Sequence, residues 1–437
     1  MFYCRSTCIG TNFEDVAHLL SRSGFGGTKD EINALLDLEW PDLVDRVFET
    51  DLNPPVTQGA PNLDPGTDWS SNYTDMCRFW IERAVNNPRP IDEKMVLFWH
   101  GHLVSGLSKV GVHQHMFDQL QLFRTSGLGD FLDLMQAISI DPAMLRYLDN
   151  GKSKATSPNE NFARELMELF TLGVGNYTEE DVRSASRAWT GHMLVDGEYE
   201  FNSSHHDHNQ KTFFGTTQNW DGPDIIHHIL FGPKQQICAK YIATKLWSFF
   251  AYPNPSESLK TDLMNVFISS GLNIEALVRE IFMRPEFRSP EAKNGLIKSP
   301  FEICVSILRH TGMSFDQMPP QWESKRMGQY LYNPPNVSGW RQNMYWISET
   351  TVWARSKLAS RTRWRMYNDT DKFIDIRNYS NEDAVDLALG FYGIWNVSTA
   401  TRNGLLSYVA AQRQNSWVSE RSGLLYLPLM TPEFWMA

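Results

Sequence analysis

One stretch near the middle of the chain carries many side chains suited to acid–base chemistry. Residues 158–172 have the spacing of a helix, and at about 100° per residue the apolar side chains share one side. These are Phe162, Leu166, Leu169 and Phe170. The opposite side, a sector of about 140°, carries Glu160, Asn161, Arg164, Glu165 and Glu168.

This polar face supports two interpretations. Asn161, Glu165 and Glu168 have the spacing to line a cleft, where amide and carboxylate oxygens orient a polar ligand or a hard divalent cation. Glu165 and Arg164 would then be catalytic, with Asn161 and Glu168 binding the substrate. The alternative is a solvated face, in which Ser157 and Glu160 form a capping box and Glu160 pairs with Arg164.

A histidine-rich run forms a second candidate. In an extended chain His206 and His208 share one side, while His205 and Asp207 share the other. Imidazole with carboxylate is the ligand set of a catalytic zinc, manganese or iron ion, and it also suits a general base with an orienting acid. We expect His206, Asp207 and Lys211 to be catalytic, with Lys211 neutralising an anionic group. A histidine-rich surface loop is the alternative.

His100 is the third expected metal ligand, together with His206 and Asp207. His100 and His102 point about 200° apart on a continuous helix and cannot share one metal ion there. The alternative for His100 is a buried, hydrogen-bonded ring beside Trp99.

A proline-stiffened loop follows later, crowded by aromatic residues. Trp340 is the expected substrate contact, because a flat ring beside polar loop residues stacks on sugars and other planar ligands. The alternative is that these rings close a core.

The elements that must position these groups are mostly helical. Apolar residues recur at helical spacing almost everywhere, and strand patterns are confined to residues 193–195, 198–201 and 211–214, the first two flanking Asp196-Gly197. The pattern predicts a mainly α protein with a small β-hairpin insertion near 193–214. We expect one large helical domain over 12–360 and a carboxy-terminal extension over 361–437, packed on it or separate.

Bulk properties narrow the function. Of 437 residues, 42% are hydrophobic and 21% charged, which is the balance of a globular protein. The net charge of -11 disfavours nucleic acid as a partner. No run approaches the ~18 apolar residues that span a bilayer, and there is no nucleotide-binding glycine motif, HExxH or GxSxG.

The amino terminus and the cysteines carry little information on function. The chain as written does not begin with a secretory signal, so either the protein is cytoplasmic or the chain starts after a processed segment. Five scattered cysteines, without a CxxC pair, argue against a disulfide framework and a cysteine zinc site. Cys4 and Cys8 are the one close pair.

Five stretches resemble the bacterial family catalogued as domain of unknown function eighteen hundred. They are residues 18–26 (HLLSRSGFG), 93–102 (EKMVLFWHGH), 159–173 (NENFARELMELFTLG) followed by 177–182, then 206–207 with 211–215, and 328–329 with 334–337 and 339–340. The resemblance runs from about residue 17 to about residue 355.

The resemblance implies an exported or envelope-associated bacterial protein, without implying a substrate or mechanism. Two features depart from the family pattern. His192 stands where a tryptophan is expected after Thr190-Gly191, and the export signal is missing from the chain as written.

The leading hypothesis is an enzyme whose site joins the three segments around His100, Glu165 and His206. It would perform metal-assisted or carboxylate-assisted hydrolysis or group transfer on a polar, carbohydrate-like small molecule, with a divalent metal as the expected cofactor. The runner-up is a non-catalytic binding or assembly protein of the envelope. A third hypothesis makes the polar groups a buried structural network.

Overall fold

The fold is mainly helical, as predicted. The computed structural model describes residues 11–50, 59–293, 295–368, 376–414 and 417–437, so Cys4 and Cys8 lie outside the described residues. Helices make up 63% of the protein. The α-helices are α1 (Phe13–Ser23), α2 (Lys29–Asn33), α3 (Trp40–Phe48), α4 (Trp69–Asn86), α5 (Ile91–His102), α6 (Leu107–Val110), α7 (His113–Ser126), α8 (Phe131–Ser139), α9 (Pro142–Tyr147), α10 (Glu160–Glu165), α11 (Glu179–Ala188), α12 (Gly222–Phe231), α13 (Gln235–Phe250), α14 (Glu257–Ser269), α15 (Ile274–Met283), α16 (Pro290–Lys293), α17 (Pro300–Thr311), α18 (Pro320–Arg326), α19 (Glu349–Asn368), α20 (Asn381–Phe391), α21 (Thr399–Arg413), α22 (Trp417–Leu424) and α23 (Pro432–Trp435).

Shorter helical segments join these helices. The 3-10 segments are Asn150–Lys152, Ser203–His205, Pro285–Arg288, Asn343–Trp346, Ile376–Asn378 and Pro428–Met430, and Leu166–Thr171 is a π-helix. Among the described residues, no helix is both long and apolar enough to cross a membrane.

The β insertion consists of two small hairpins. β1 (His192–Val195) pairs antiparallel with β2 (Glu198–Phe201), and the turn residues Asp196 and Gly197 have φ of 49° and 92°, as a tight primed turn requires. The predicted third strand does not extend this hairpin. β3 (Lys211–Phe213) instead pairs with β4 (Thr216–Gln218), because Phe214 and Gly215 also adopt positive φ and reverse the chain.

One continuous cluster of buried apolar side chains extends from Val16 near the start to Phe434 near the end. Helix α5 lies at its centre, since all of its residues except Gly101 are buried. A helix that is buried all round is packed on every side by other elements. This position makes α5 the scaffold on which the site is built.

The helix that carries the family motif begins and ends differently from the prediction. Its cap is Asn159, which accepts from the Asn161 N–H, so the capping box expected from Ser157 is wrong. Phe162, Leu166 and Phe170 are buried, as predicted. After Glu165 the helix widens into the π-helix, a feature that often lies beside functional sites.

The next helix, α11, confirms its predicted start. Thr178 caps it and forms a reciprocal capping box with Asp181. Together α10 and α11 hold the predicted polar helix face and the loop that carries His206.

Candidate functional site

The polar face of α10 is an ion-pair network at the surface. Arg164 donates to Glu160 at 3.1 Å and to Glu179 at 2.7 Å, which confirms the predicted pairing within the helix. Glu168 accepts a hydrogen bond from the Tyr177 hydroxyl. Burial, together with the charge of Glu168, raises the pKa of Glu165. Arg164 and Glu168 therefore already have partners within the protein, and the Arg164–Glu179 pair links α10 to α11.

The histidine-rich run forms a second, separate cluster. The His206 ring Nδ1 lies 2.8 Å from the Thr190 carbonyl oxygen, and Arg187 donates to Asp207 at 2.7 Å. Burial would raise the pKa of Asp207, but the hydrogen bonds from Arg187 and Asn209 outweigh it and lower the pKa to about 2. Asp207 is therefore a fixed carboxylate that holds the loop.

Lys211 closes this loop from inside. It is 1% exposed, and its ammonium donates to the Asp207 carbonyl, to the Trp220 carbonyl at 2.9 Å and to Asn219 Oδ1 at 3.2 Å. An ammonium has three donors, and all three are used here. Lys211 thus ties the two ends of the second hairpin together, with no donor left for a substrate anion.

His100 lies apart from both clusters, in the core. Its ring packs against Trp80, Tyr332 and Trp340 at centroid distances of 5.2–5.9 Å, and neither ring nitrogen has a hydrogen-bond partner among the described residues. Burial lowers the pKa of His100 to about 3, so the ring is neutral. The ring is therefore buried, as in the alternative considered for His100, but it lacks the hydrogen bond that this alternative included.

No hydrogen bond, ion pair or ring contact among the described residues joins His100, Glu165 and His206 to one another. The motif helix does meet α5, but through the Phe170 carbonyl and His102. The expected metal set of His100, His206 and Asp207 is also not assembled, since His100 is enclosed by aromatic rings. The part of the chain that the structure describes holds no group of three or more His, Cys, Asp or Glu arranged for a metal ion.

A cavity of about 700 Å³ lies on the other side of α5. Its walls come from α1, α5, α13, α14, α17 and the loops at residues 172–176, 296–297 and 338–343. Its apolar lining includes Leu97, Phe98, Leu172, Ile237, Phe249, Pro253 and Trp340. Its polar lining includes Arg22, His102, Asn176, Lys240, Tyr241, Thr244, Lys245, Ser248, Glu257, Lys260, Glu302, Ser338, Gln342 and Asn343.

Two backbone carbonyls of the π-helix bind side chains that line this cavity. The carbonyl of Leu169 accepts from the Tyr241 hydroxyl at 2.9 Å, and that of Phe170 lies 3.1 Å from His102 Nε2. Because a carbonyl only accepts, the proton of the neutral His102 ring is on Nε2 and the lone pair is on Nδ1. Burial and the nearby charge of Lys245 lower the pKa of His102 to about 3, which keeps the ring neutral.

Trp340 separates the cavity from His100. Its ring lines the cavity and meets the His100 ring edge-on at 5.2 Å. The loop before Trp340 lies directly on α5, since a side chain at Gly339 would come within 2.1 Å of the Gly101 carbonyl oxygen, and Gly339 has φ of 78°. Only glycine satisfies both conditions, so Gly101 and Gly339 together place Trp340.

Cations outnumber carboxylates at one end of the cavity. Arg22 and Glu302 line this end. Lys94 pairs directly with Glu302, and Lys298 interacts with the charges of Glu302, Lys94 and Arg22 from behind the lining. Burial lowers the pKa of Arg22 to about 9 and that of Lys298 to about 8. Arg22 is 2% exposed, and its Nε has no hydrogen-bond partner among the described residues. One carboxylate does not balance three cations, and uncompensated buried charge is costly.

The opposite wall carries a second group of lysines. Glu257 accepts from Lys240 at 2.7 Å and from Lys260 at 2.8 Å, and these bonds lower its pKa to about 2. Lys245 has no carboxylate partner in the described part of the chain, and its ammonium lies 5.3 Å from the centre of the Tyr241 ring. The cavity therefore offers cations at two places on an apolar wall.

Trp340, the expected substrate contact, lines the cavity, but most of the other lining residues were not predicted. Arg22 stood inside a quoted motif without being singled out, and His102 was considered only as a metal partner of His100. Tyr241, Thr244, Lys245 and Ser248 recur at helical spacing on α13, whose opposite face is apolar and buried. Such a polar stripe was the available signal.

The fold and the cavity define a mainly helical protein with a cation-rich, partly aromatic binding cavity. The chain belongs to the family described as protein of unknown function (DUF1800), whose sequence model matches residues 18–436. The match therefore extends beyond the resemblance traced to about residue 355. Neither the curated proteins nor the solved structures gave a match.

Proposed function

We propose that the chain binds an organic anion in the cavity, with the anionic group at Arg22 and an apolar or aromatic body against Phe249 and Trp340. The observation that carries this proposal is Arg22, a nearly fully buried guanidinium on the cavity wall whose Nε has no partner among the described residues. A carboxylate or phosphate would use that donor in a charge-assisted hydrogen bond.

The size and lining of the cavity support a small molecule. Ligand cavities of about 300–1,000 Å³ are mostly apolar with a few placed polar groups, and this cavity falls within that range. Glu302 would remain paired with Lys94, so the incoming anion would balance Arg22 and Lys298.

The experiment is a fluorescence titration with 8-anilinonaphthalene-1-sulfonate, an aromatic sulfonate that becomes bright in apolar surroundings. Arg22→Gln should weaken its binding by about tenfold, for a lost charge-assisted contact of ~1.5 kcal/mol. Lys245→Gln should weaken it by less, because Lys245 lies on the opposite wall and attracts the anion by its charge without a direct contact. Lys152→Gln, at an exposed lysine outside the cavity lining, is the matched control and should bind like the unmodified chain. Equal affinity in all four proteins would refute the proposal.

Arg22→Gln also removes a hydrogen bond to the Ala292 carbonyl, so a fold defect is a separate cause of weaker binding. Lys245→Gln avoids this problem because Lys245 is exposed towards the cavity and unpaired in the described structure. If only an unfolded Arg22 variant loses binding and Lys245→Gln does not, the proposal fails.

Catalysis on the bound anion is a second candidate, and His102 is the observation that favours it. A neutral imidazole whose Nε2–H is fixed on the Phe170 carbonyl presents Nδ1 as a proton acceptor beside Lys245. The enzyme hypothesis thus moves from the charged face of α10 to this ring. Nitrogen-15 NMR, with His102→Gln for assignment, tests it. The expected signal is the Nε2–H form at pH 6, and the Nδ1–H form would exclude this role.

A further inference from the structure

Four large apolar side chains are exposed close together in sequence, outside the cavity lining. Trp353 is 63% exposed, Trp364 57%, Met344 67% and Tyr345 64%. Single exposed apolar residues need no explanation, but large apolar side chains that share one face of an element mark a surface that contacts something else.

The two tryptophans share one stripe of α19. They are eleven residues apart, which at 100° per residue returns to within about 20° of the same direction and spans about 16 Å along the axis. Lys357, Arg361 and Asn368 are exposed on the same stripe, while Ala354, Leu358 and Met366 are buried on the other side. The helix therefore packs on the protein by one face and presents tryptophan and basic residues on the other.

The rings of Trp353, Trp364 and Tyr345 each lie close to the cationic group of a basic side chain. Lys357 lies 5.2 Å from the centre of the Trp353 ring, Arg365 lies 4.9 Å from that of Trp364, and Arg341 lies 4.8 Å from that of Tyr345. The two tryptophans of α19 and their cations, Lys357 and Arg365, define what we call the Trp–Lys surface. Its local positive charge contrasts with the net charge of -11 for the whole chain.

We propose that the Trp–Lys surface docks on an anionic phospholipid membrane. Tryptophan and tyrosine place their rings at the headgroup level of a bilayer, while neighbouring lysine and arginine reach the lipid phosphates. Only the basic side chains close to the bilayer interact strongly with its negative charge, because charges farther than about 8 Å away are screened at physiological salt. The negative remainder of the chain then turns towards water.

The test is flotation of the full chain with vesicles of phosphatidylcholine alone and with vesicles that are half phosphatidylglycerol. The expected result is binding to the anionic vesicles that decreases as salt increases. Lys357→Glu with Arg365→Glu should lower the partition coefficient at least about 25-fold, since each basic side chain contributes roughly fivefold. Trp353→Ala with Trp364→Ala should also release the chain from the vesicles.

Two variants serve as matched controls. Trp69→Ala removes another exposed tryptophan, and Lys152→Glu reverses another exposed lysine, both outside the Trp–Lys surface. They should float like the unmodified chain. The dye titration of the cavity is repeated on every variant. An unchanged affinity for the dye shows that the variant is folded, and this measurement does not depend on vesicle binding.

Several results would overturn the inference. These are the absence of vesicle binding, binding that persists in both double variants, or equal losses in the two controls. Binding to poly-glutamate but not to vesicles would assign the surface to an acidic protein partner. A dimer of the full chain that the double tryptophan variant makes monomeric, without vesicle binding, would assign it to a second copy.

Discussion

Lys211 and Arg22 are both buried cations, yet their surroundings give them different roles. All three donors of Lys211 end on protein oxygens, two of them backbone carbonyls. Arg22 donates to one carbonyl, that of Ala292, and its Nε has no partner among the described residues. Both side chains are buried, so the difference between them is the number of N–H donors that have no acceptor within the described residues. Under the proposed function, such a donor is the one that binds the anion.

His100 provides a prediction at the scale of one residue. Its folded pKa is about 3, below the unfolded value of 6.5, so the unfolded chain takes up a proton first as the pH falls. The stability associated with the neutral ring is present above pH 6.5 and is lost as the pH falls towards 3. By linkage, this amounts to roughly 2 kcal/mol at pH 5.

His100→Phe should remove that pH dependence, because phenylalanine takes up no proton and suits the surrounding rings. At pH 7.5 the substitution should change the free energy of unfolding by less than about 1.5 kcal/mol. Between pH 7.5 and pH 5 the variant should lose roughly 2 kcal/mol less stability than the unmodified chain. Urea unfolding at the two pH values measures this, and parallel losses in both proteins would contradict the assignment.

At the scale of the element, the motif helix shows what periodicity predicts and what it does not. The 3.6-residue period identified the buried face of Phe162, Leu166 and Phe170, because burial follows directly from the spacing of apolar residues. It also identified the Glu160–Arg164 pair. It did not predict the π-helix from Leu166, since widening by one residue depends on carbonyl partners elsewhere in the chain.

Those partners, Tyr241 and His102, come from helices distant in sequence. The same reason explains why His102 rather than His100 reaches the cavity. The sequence around His100 and His102 does not show which of the two rings Trp340 covers, because Trp340 lies more than two hundred positions away in the chain. Local patterns therefore predicted the faces of helices, whereas the site required knowledge of their packing.

Leu166→Ala tests the assigned face of this helix. Leu166 is fully buried, so the substitution should lower the free energy of unfolding by roughly 2–5 kcal/mol, through lost burial and the cavity left behind. Denaturant unfolding measures the loss. Val174→Ala, at an exposed position three residues beyond the end of the π-helix, is the control and should cost less than about 0.5 kcal/mol. A similarly small loss for Leu166→Ala would refute the assignment.

At the scale of the whole molecule, the cavity is assembled from residues between Arg22 and Ala437. The sequence predicted the fold class, the first hairpin and the absence of a membrane-spanning stretch, because each depends on a local pattern. It placed the site on polar groups around His100, Glu165 and His206, which no hydrogen bond, ion pair or ring contact among the described residues joins to one another. A mainly helical chain of 437 residues can be packed in many ways, and the packing decided which polar groups meet.

The cation cluster predicts how binding depends on pH. Burial disfavours the charged forms of Lys298 and Arg22 and lowers the pKa of Lys298 to about 8, within reach of ordinary buffers. A sulfonate keeps its charge across this range. The affinity of the cavity for 8-anilinonaphthalene-1-sulfonate should therefore be constant from pH 6 to about pH 7 and fall above about pH 8. Affinity that is unchanged up to pH 10 would show that these cations do not hold the anion.

A crystal of the full chain soaked with 4-iodobenzoate tests the central claim most directly, because anomalous scattering locates the iodine without prior assumptions. One strong iodine site is expected inside the cavity, near Phe249 or Trp340. The carboxylate should lie within hydrogen-bonding distance of the Arg22 guanidinium, about 3 Å between nitrogen and oxygen. An empty cavity at saturating 4-iodobenzoate, or iodine bound only elsewhere on the protein, would contradict the claim that the cavity is an organic-anion site.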